Sequence, residues 1–182
     1  MRHKKTIGLA VLLLMLLAAG PRVWAQPEAT DLTALGVQLW PDYDEQSMLV
    51  LLTGTLSPET ALPATVTIPV PPGADINAVA RYTTDNQLLS DVVYRIENDQ
   101  LILTMPDLRF QVEYYAPYAT DGDRRTFDFS WLSGLPVAQL SAVVQQPLAA
   151  ETIEIMPQPV NVSADRGDGL QYHSLAAQSV AA

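Results

Sequence analysis

Beyond residue 25, no stretch of this 182-residue chain carries apolar residues at helical spacing. Short runs rich in Val, Ile, Leu, Thr and aromatic residues recur instead, set apart by Pro, Gly, Asp and Asn. A helix needs an apolar stripe at intervals of three and four residues, whereas period-two alternation over a few residues marks a half-buried strand. The chain is therefore expected to be all-β. Strands are predicted at Gly36–Trp40, Met48–Leu56, Ala64–Val70, Ala78–Thr83, Val92–Ile96, Leu101–Met105, Arg109–Tyr115, Thr126–Trp131, Leu140–Gln145, Thr152–Met156 and Leu170–Leu175.

Strands at this spacing predict an antiparallel β-sandwich, immunoglobulin-like or jelly-roll-like in strand pattern, of roughly 9 to 11 strands. Asn98 and Asp99 lie between two strand-forming runs, and both residue types tolerate the positive φ of a tight hairpin turn. In Ala64–Val70, Pro69 interrupts an alternating run, which points to an edge strand. "MLVLLTGTL", from Met48 to Leu56, is almost continuously apolar, as a central strand is.

The first 25 residues read differently. Arg2, Lys4 and Lys5 precede an apolar run from Ile7 to Ala19, and Val23-Trp24-Ala25 places small residues around a bulky one. This is the pattern of a secretory signal peptide cut after Ala25. The apolar run falls short of the roughly 20 residues that a spanning helix requires. Residues 26–33 are expected to be a flexible lead-in, 34–176 a single β-sandwich domain, and 177–182 a frayed tail. The expected location is secreted or extracytoplasmic, in a periplasm or at a cell surface, with no stable membrane anchor once the leader is gone.

Of the ten lysines and arginines, Arg2, Lys4, Lys5 and Arg22 lie in the leader, so the rest of the chain keeps six arginines against all twenty acidic residues, a formal charge of −14. Such a field repels nucleic acid and anionic polymers and favours cations or basic partners. Cysteine is absent, so stability has to come from packing rather than disulfides. His173 is the one imidazole outside the leader, too few for a zinc site of three or four N or S ligands. A Ser-His-Asp triad would have to use this same residue, and no Gly-x-Ser-x-Gly turn is present. His173 is expected to face solvent on its strand. No enzyme activity and no cofactor are expected.

The segment Arg109–Trp131 holds all three phenylalanines of the chain. Phe110, Val112 and Tyr114 share one face of the first predicted strand, and Phe127, Phe129 and Trp131 share one face of the second. If the two pair as a hairpin, these side chains form a single buried aromatic face. The connecting loop then displays Tyr115, Tyr118, Arg124 and Arg125 as candidate ligand-binding residues, since tyrosines stack on sugars or side chains and arginines grip carboxylates.

Oxygen-rich clusters, which suit calcium, occur at Asp42, Asp44 and Glu45, at Asp121 and Asp123, and at Asp165 and Asp168. None completes an EF-hand loop, and the competing reading of each is a turn whose aspartates bond their own backbone. The weak calcium candidates are Asp121, Asp123, Asp165 and Asp168. The favoured function is an exported, non-catalytic β-sandwich module for interaction with a protein or envelope component. The alternative is a carbohydrate-binding or calcium-dependent adhesion module, and an acid/base glycan hydrolase stands third. An aromatic groove would favour sugar, and a flat edge along Ala64–Val70 would favour protein pairing by strand addition.

Overall fold

A computed structural model describes residues 26–132, 134–164 and 167–181. The signal peptide read at residues 1–25 lies outside the described residues, as does the calcium candidate Asp165. The described chain is all-β, with strands β1 (Leu32–Pro41), β2 (Met48–Leu56), β3 (Ala64–Pro69), β4 (Asp75–Tyr82), β5 (Leu88–Leu89), β6 (Val93–Glu97) and β7 (Gln100–Met105). They are followed by β8 (Arg109–Ala116), β9 (Ala119–Asp121), β10 (Arg124–Thr126), β11 (Val137–Gln146), β12 (Asn161–Ser163), β13 (Gln171–Ser174) and β14 (Gln178–Val180).

Two sheets face each other. The larger runs β12-β13-β11-β1-β2-β8-β4-β5, with β14 pairing the first part of β11, and the smaller runs β3-β7-β6. Among the strands named, pairing is antiparallel except between β1 and β11, which run parallel with Leu35 opposite Leu140 and Val37 opposite Ala142. Between the sheets lies a continuous core fed by alternate residues of each strand: Leu35 and Val37 from β1, Val50 and Leu52 from β2, Val66 and Ile68 from β3, Leu101 and Leu103 from β7, and Phe110 and Val112 from β8. Period-two geometry sends every second side chain into this layer.

The turn at Asn98-Asp99 has both residues at positive φ, +52° and +59°, and closes the β6–β7 hairpin with Glu97 opposite Gln100. β2 is central, as its apolar run implies, with β1 on one side and β8 on the other. β3 is an edge strand.

The aromatic hairpin does not form. Arg109–Ala116 pairs with β2 and β4, so both its edges are taken. Residues 127–131 lie outside any strand, yet the alternation survives: Phe127 and Phe129 pack against the core, and Trp131 is buried with its Nε1 donating to the Leu135 carbonyl at 3.2 Å. Thr152–Met156 is likewise not a strand. The lead-in and the tail are tied down rather than loose: the Ala29 amide donates to the Thr65 carbonyl, the Thr65 amide to the Pro27 carbonyl, each at 2.8 Å, and β14 pairs with β11. His173 does not face solvent. It is 9% exposed in the middle of β12-β13-β11, opposite Val144 and Val162, with Nε2 3.2 Å from Gln146 Oε1.

Candidate functional site

The residues expected to form a binding loop divide in two. Tyr115 and Tyr118 reach across to the turn between β1 and β2, where Asp42 holds a positive φ of 52°. The Tyr115 hydroxyl donates to Asp44 Oδ1 at 2.7 Å, and the Tyr118 hydroxyl donates to Asp42 Oδ1. Arg125 completes the group, with its Nε 3.0 Å from the Tyr118 hydroxyl and 3.4 Å from Asp42 Oδ2. Its guanidinium carbon lies 5.6 Å from the Tyr118 ring centre.

The bond to Asp44 and some burial push the Tyr115 hydroxyl up to about 12. Tyr118 is raised as well, by burial first and then by its bond to Asp42, against the lowering effect of Arg125. Asp42 and Asp44 thus serve as acceptors for tyrosines more than 70 residues away. These bonds clamp the β1–β2 turn onto the end of the sheet. Tyr43 adds to the clamp by packing on Trp40, ring centres 5.0 Å apart. Arg124 is not part of this group. It points to Glu154 at 3.3 Å, with both side chains about three-quarters exposed.

The calcium candidates are not brought together. Asp121 and Asp123 are exposed in the β9–β10 turn around Gly122. Asp168 accepts from the Leu170 amide at 2.9 Å and from the Tyr172 hydroxyl at 2.6 Å, the second of which also accepts from Gln145 Nε2 at 3.1 Å. Among the described residues, no group of three or more His, Cys, Asp or Glu side chains is placed to hold a metal ion.

The more open surface lies elsewhere, at β6. All five of its residues are exposed, with Val93 at 71%, Tyr94 at 46% and Ile96 at 53%. β6 pairs only with β7 among the described residues and ends the smaller sheet. In a two-residue hairpin the closing pair exchanges hydrogen bonds, and bonded pairs then alternate along the ladder. Glu97, Arg95 and Val93 therefore spend their backbone groups on β7, and the amides and carbonyls of Tyr94 and Ile96 point away from the sheet.

The edge anticipated at Ala64–Val70 is the less open of the two. Residues Pro27–Ala29 already occupy the outward groups of Thr65, and Pro69 has no amide to offer. Sequence pattern places a strand at Val92–Ile96 and the turn after it, but not the open edge of that strand, because strand order is not written in a local pattern. The available signal was charge, since Arg95 and Glu97 sit on one face of a short strand, a device common on edges.

No protein-family model matches the sequence, and no curated protein matches it significantly. Among solved structures, the chain is similar in fold to the M1 zinc metallopeptidase from Deinococcus radiodurans, at TM-score 0.51 and 15% identity. The mutant of that enzyme bound to a Tyr-Ser-Ala substrate gives TM-score 0.51 and 14% identity. Each match covers 80% of this chain and 38% of the other, so this chain spans well under half the length of the enzyme it resembles. The likeness is one of fold. The zinc of that enzyme finds no set of ligands among the described residues.

Proposed function

We propose that this chain is an exported, non-catalytic β-sandwich module that binds a protein partner by accepting an added strand on the β6 edge. The observation that carries the reading is the exposure of every residue of a strand whose far side has no neighbouring strand among the described residues. Unpaired backbone groups along such an edge form a template for another chain. Backbone pairing would supply affinity, and the alternating side chains Val93, Tyr94 and Ile96 would supply selectivity. The charge of −14 beyond residue 25 weighs against nucleic acid as the partner. Sugar binding by Tyr115 and Tyr118 has less support, because Asp44, Asp42 and Arg125 already engage both hydroxyls.

The test is retention of partners from envelope and culture fluid by the chain from Gln26 onward, compared with Ile96→Pro, in calcium and in chelator. The Ile96 amide takes no part in the β6–β7 ladder, so proline there blocks the outer edge and spares the hairpin. The expected result is a protein held by the parent chain in both buffers and lost with Ile96→Pro at unchanged near-UV dichroism. Equal retention by both chains would sink the edge reading. Retention that disappears in chelator would move calcium-dependent adhesion ahead of it.

A further inference from the structure

We infer that the partner segment taken up by β6 is extended, apolar at alternate positions, and basic at the end that lies against the β6–β7 turn; this rests on the strand-addition reading above. Tyr94 and Ile96 stand opposite Leu103 and Leu101, so their side chains continue the core-facing side of the smaller sheet outward to the open edge. A strand added there places every second side chain beside them, and water is excluded only if those side chains are apolar. On the other face stand Val93, Arg95 and Glu97.

Charge decides the remaining positions. Arg95 is already matched, its Nε 2.7 Å from Glu97 Oε1, and the turn beyond adds Asp99. The tip of the hairpin is thus acidic on balance. The rest of the surface adds to this field, because the other described arginines are also engaged: Arg81 by Asp91 and Asp107, Arg109 by Asn86 and the Tyr82 ring, Arg124 by Glu154, and Arg125 by Asp42. The surplus of carboxylates is left to attract cationic side chains. Antiparallel addition, the commoner arrangement, puts the partner's N-terminal residues beside Glu97 and Asp99.

The same charges disfavour a second copy of this chain as the occupant. The two-fold register that pairs Tyr94 with Ile96 of the copy sets Arg95 directly against its own counterpart, and like charges opposite one another in a sheet are destabilising. Sliding by two residues restores Arg95 to Glu97 but shortens the ladder to three residues of each strand. In either case two chains that each carry a charge of −14 beyond residue 25 must meet.

The probe is a synthetic peptide, Lys-Lys-Val-Thr-Ile-Thr-Val, titrated into the chain from Gln26 onward, which contains every described residue. In the inferred register its second lysine lies opposite Glu97, its first valine opposite Ile96 and its isoleucine opposite Tyr94. Two further peptides accompany it, one with glutamates in place of the lysines and one N-methylated at that valine and isoleucine. The expected result is binding of the lysine peptide about tenfold tighter than the glutamate peptide, no binding of the N-methylated form, and loss of most of the lysine preference in the double variant Glu97→Gln, Asp99→Asn. Equal binding of the lysine and glutamate peptides would overturn the basic-partner inference and leave strand addition standing. Undiminished binding of the N-methylated peptide, or no binding of any peptide, would overturn both. A dimer of the chain alone in sedimentation equilibrium, abolished by Ile96→Pro, would make a second copy the occupant instead.

Discussion

Phe110 is fully buried and lies over Gly54, its register partner on β2, so closely that a methyl group added at Gly54 would come within 2.0 Å of the ring's Cζ. The glycine is present to make room for the ring. Gly54→Ala is expected to cost about 1 to 3 kcal/mol by overpacking, and pairing it with Phe110→Leu should recover part of the loss. Urea denaturation of the two single variants and the double variant measures the coupling. Strictly additive losses would mean that ring and glycine do not share the space. Trp131→Ala should cost roughly 3 to 5 kcal/mol, because it empties a buried site and removes the bond from Nε1 to the Leu135 carbonyl. At this scale much could be read from sequence. Phe110, Val112 and Tyr114 are 0%, 0% and 2% exposed, as the alternation implies, because which side of a strand a residue faces does not depend on which strand lies beside it. His173 shows the limit of that argument. A polar residue at a strand centre is covered or not according to the strands on either side, and those strands come from Val137–Gln146 and Asn161–Ser163.

Among the elements, the β1–β2 turn and β8 illustrate how a local reading acquires its partners. The turn is a short acidic stretch, and its shape depends on hydroxyls supplied by Tyr115 and Tyr118. Tyr115 is held above the ordinary tyrosine range, about 10, and loses its proton near 12 in the folded chain. A group whose folded pKa is raised contributes stability that is fully present below the unfolded value and is lost as pH rises through the folded one. Tyr115→Phe should therefore melt below the parent chain at pH 8, and the gap should close between about pH 10 and 12. A gap that stays constant over that range in thermal melts would show that the hydroxyl bond to Asp44 contributes nothing. Strand limits were legible here, with Met48–Leu56 and the Asn98-Asp99 turn falling where the pattern placed them. Pairing was not. The sequence neighbours Arg109–Tyr115 and Thr126–Trp131 look like the two arms of one hairpin, yet β8 is bonded on both sides by strands from earlier in the chain.

In the whole molecule, the contact that closes the larger sheet is the parallel pairing of β1 with β11, which joins Leu32 to Val137 and Leu35 to Leu140. Antiparallel neighbours can be linked by a tight turn, but parallel ones need a long crossover, and here that crossover comprises the other sheet and most of the core. A chain ending at Thr126 would leave β1 as a bare edge and remove Trp131, Val137, Leu140 and Ala142 from the core. It is expected to lack near-UV dichroism and to melt without cooperativity. A cooperative transition in that truncated chain would mean that the β2-β8-β4 portion folds by itself. The sequence alone determined the all-β class, the inward face of β8 and the hairpin turn, because all three follow from side-chain period and backbone freedom within a few residues. Tertiary structure decided which edges are covered and which is open, that Tyr118 bonds to Asp42, and that β6 rather than β3 presents its backbone to solvent. Those outcomes depend on which distant strands meet, and nothing in a local alternation of apolar and polar residues encodes the partner across the ladder.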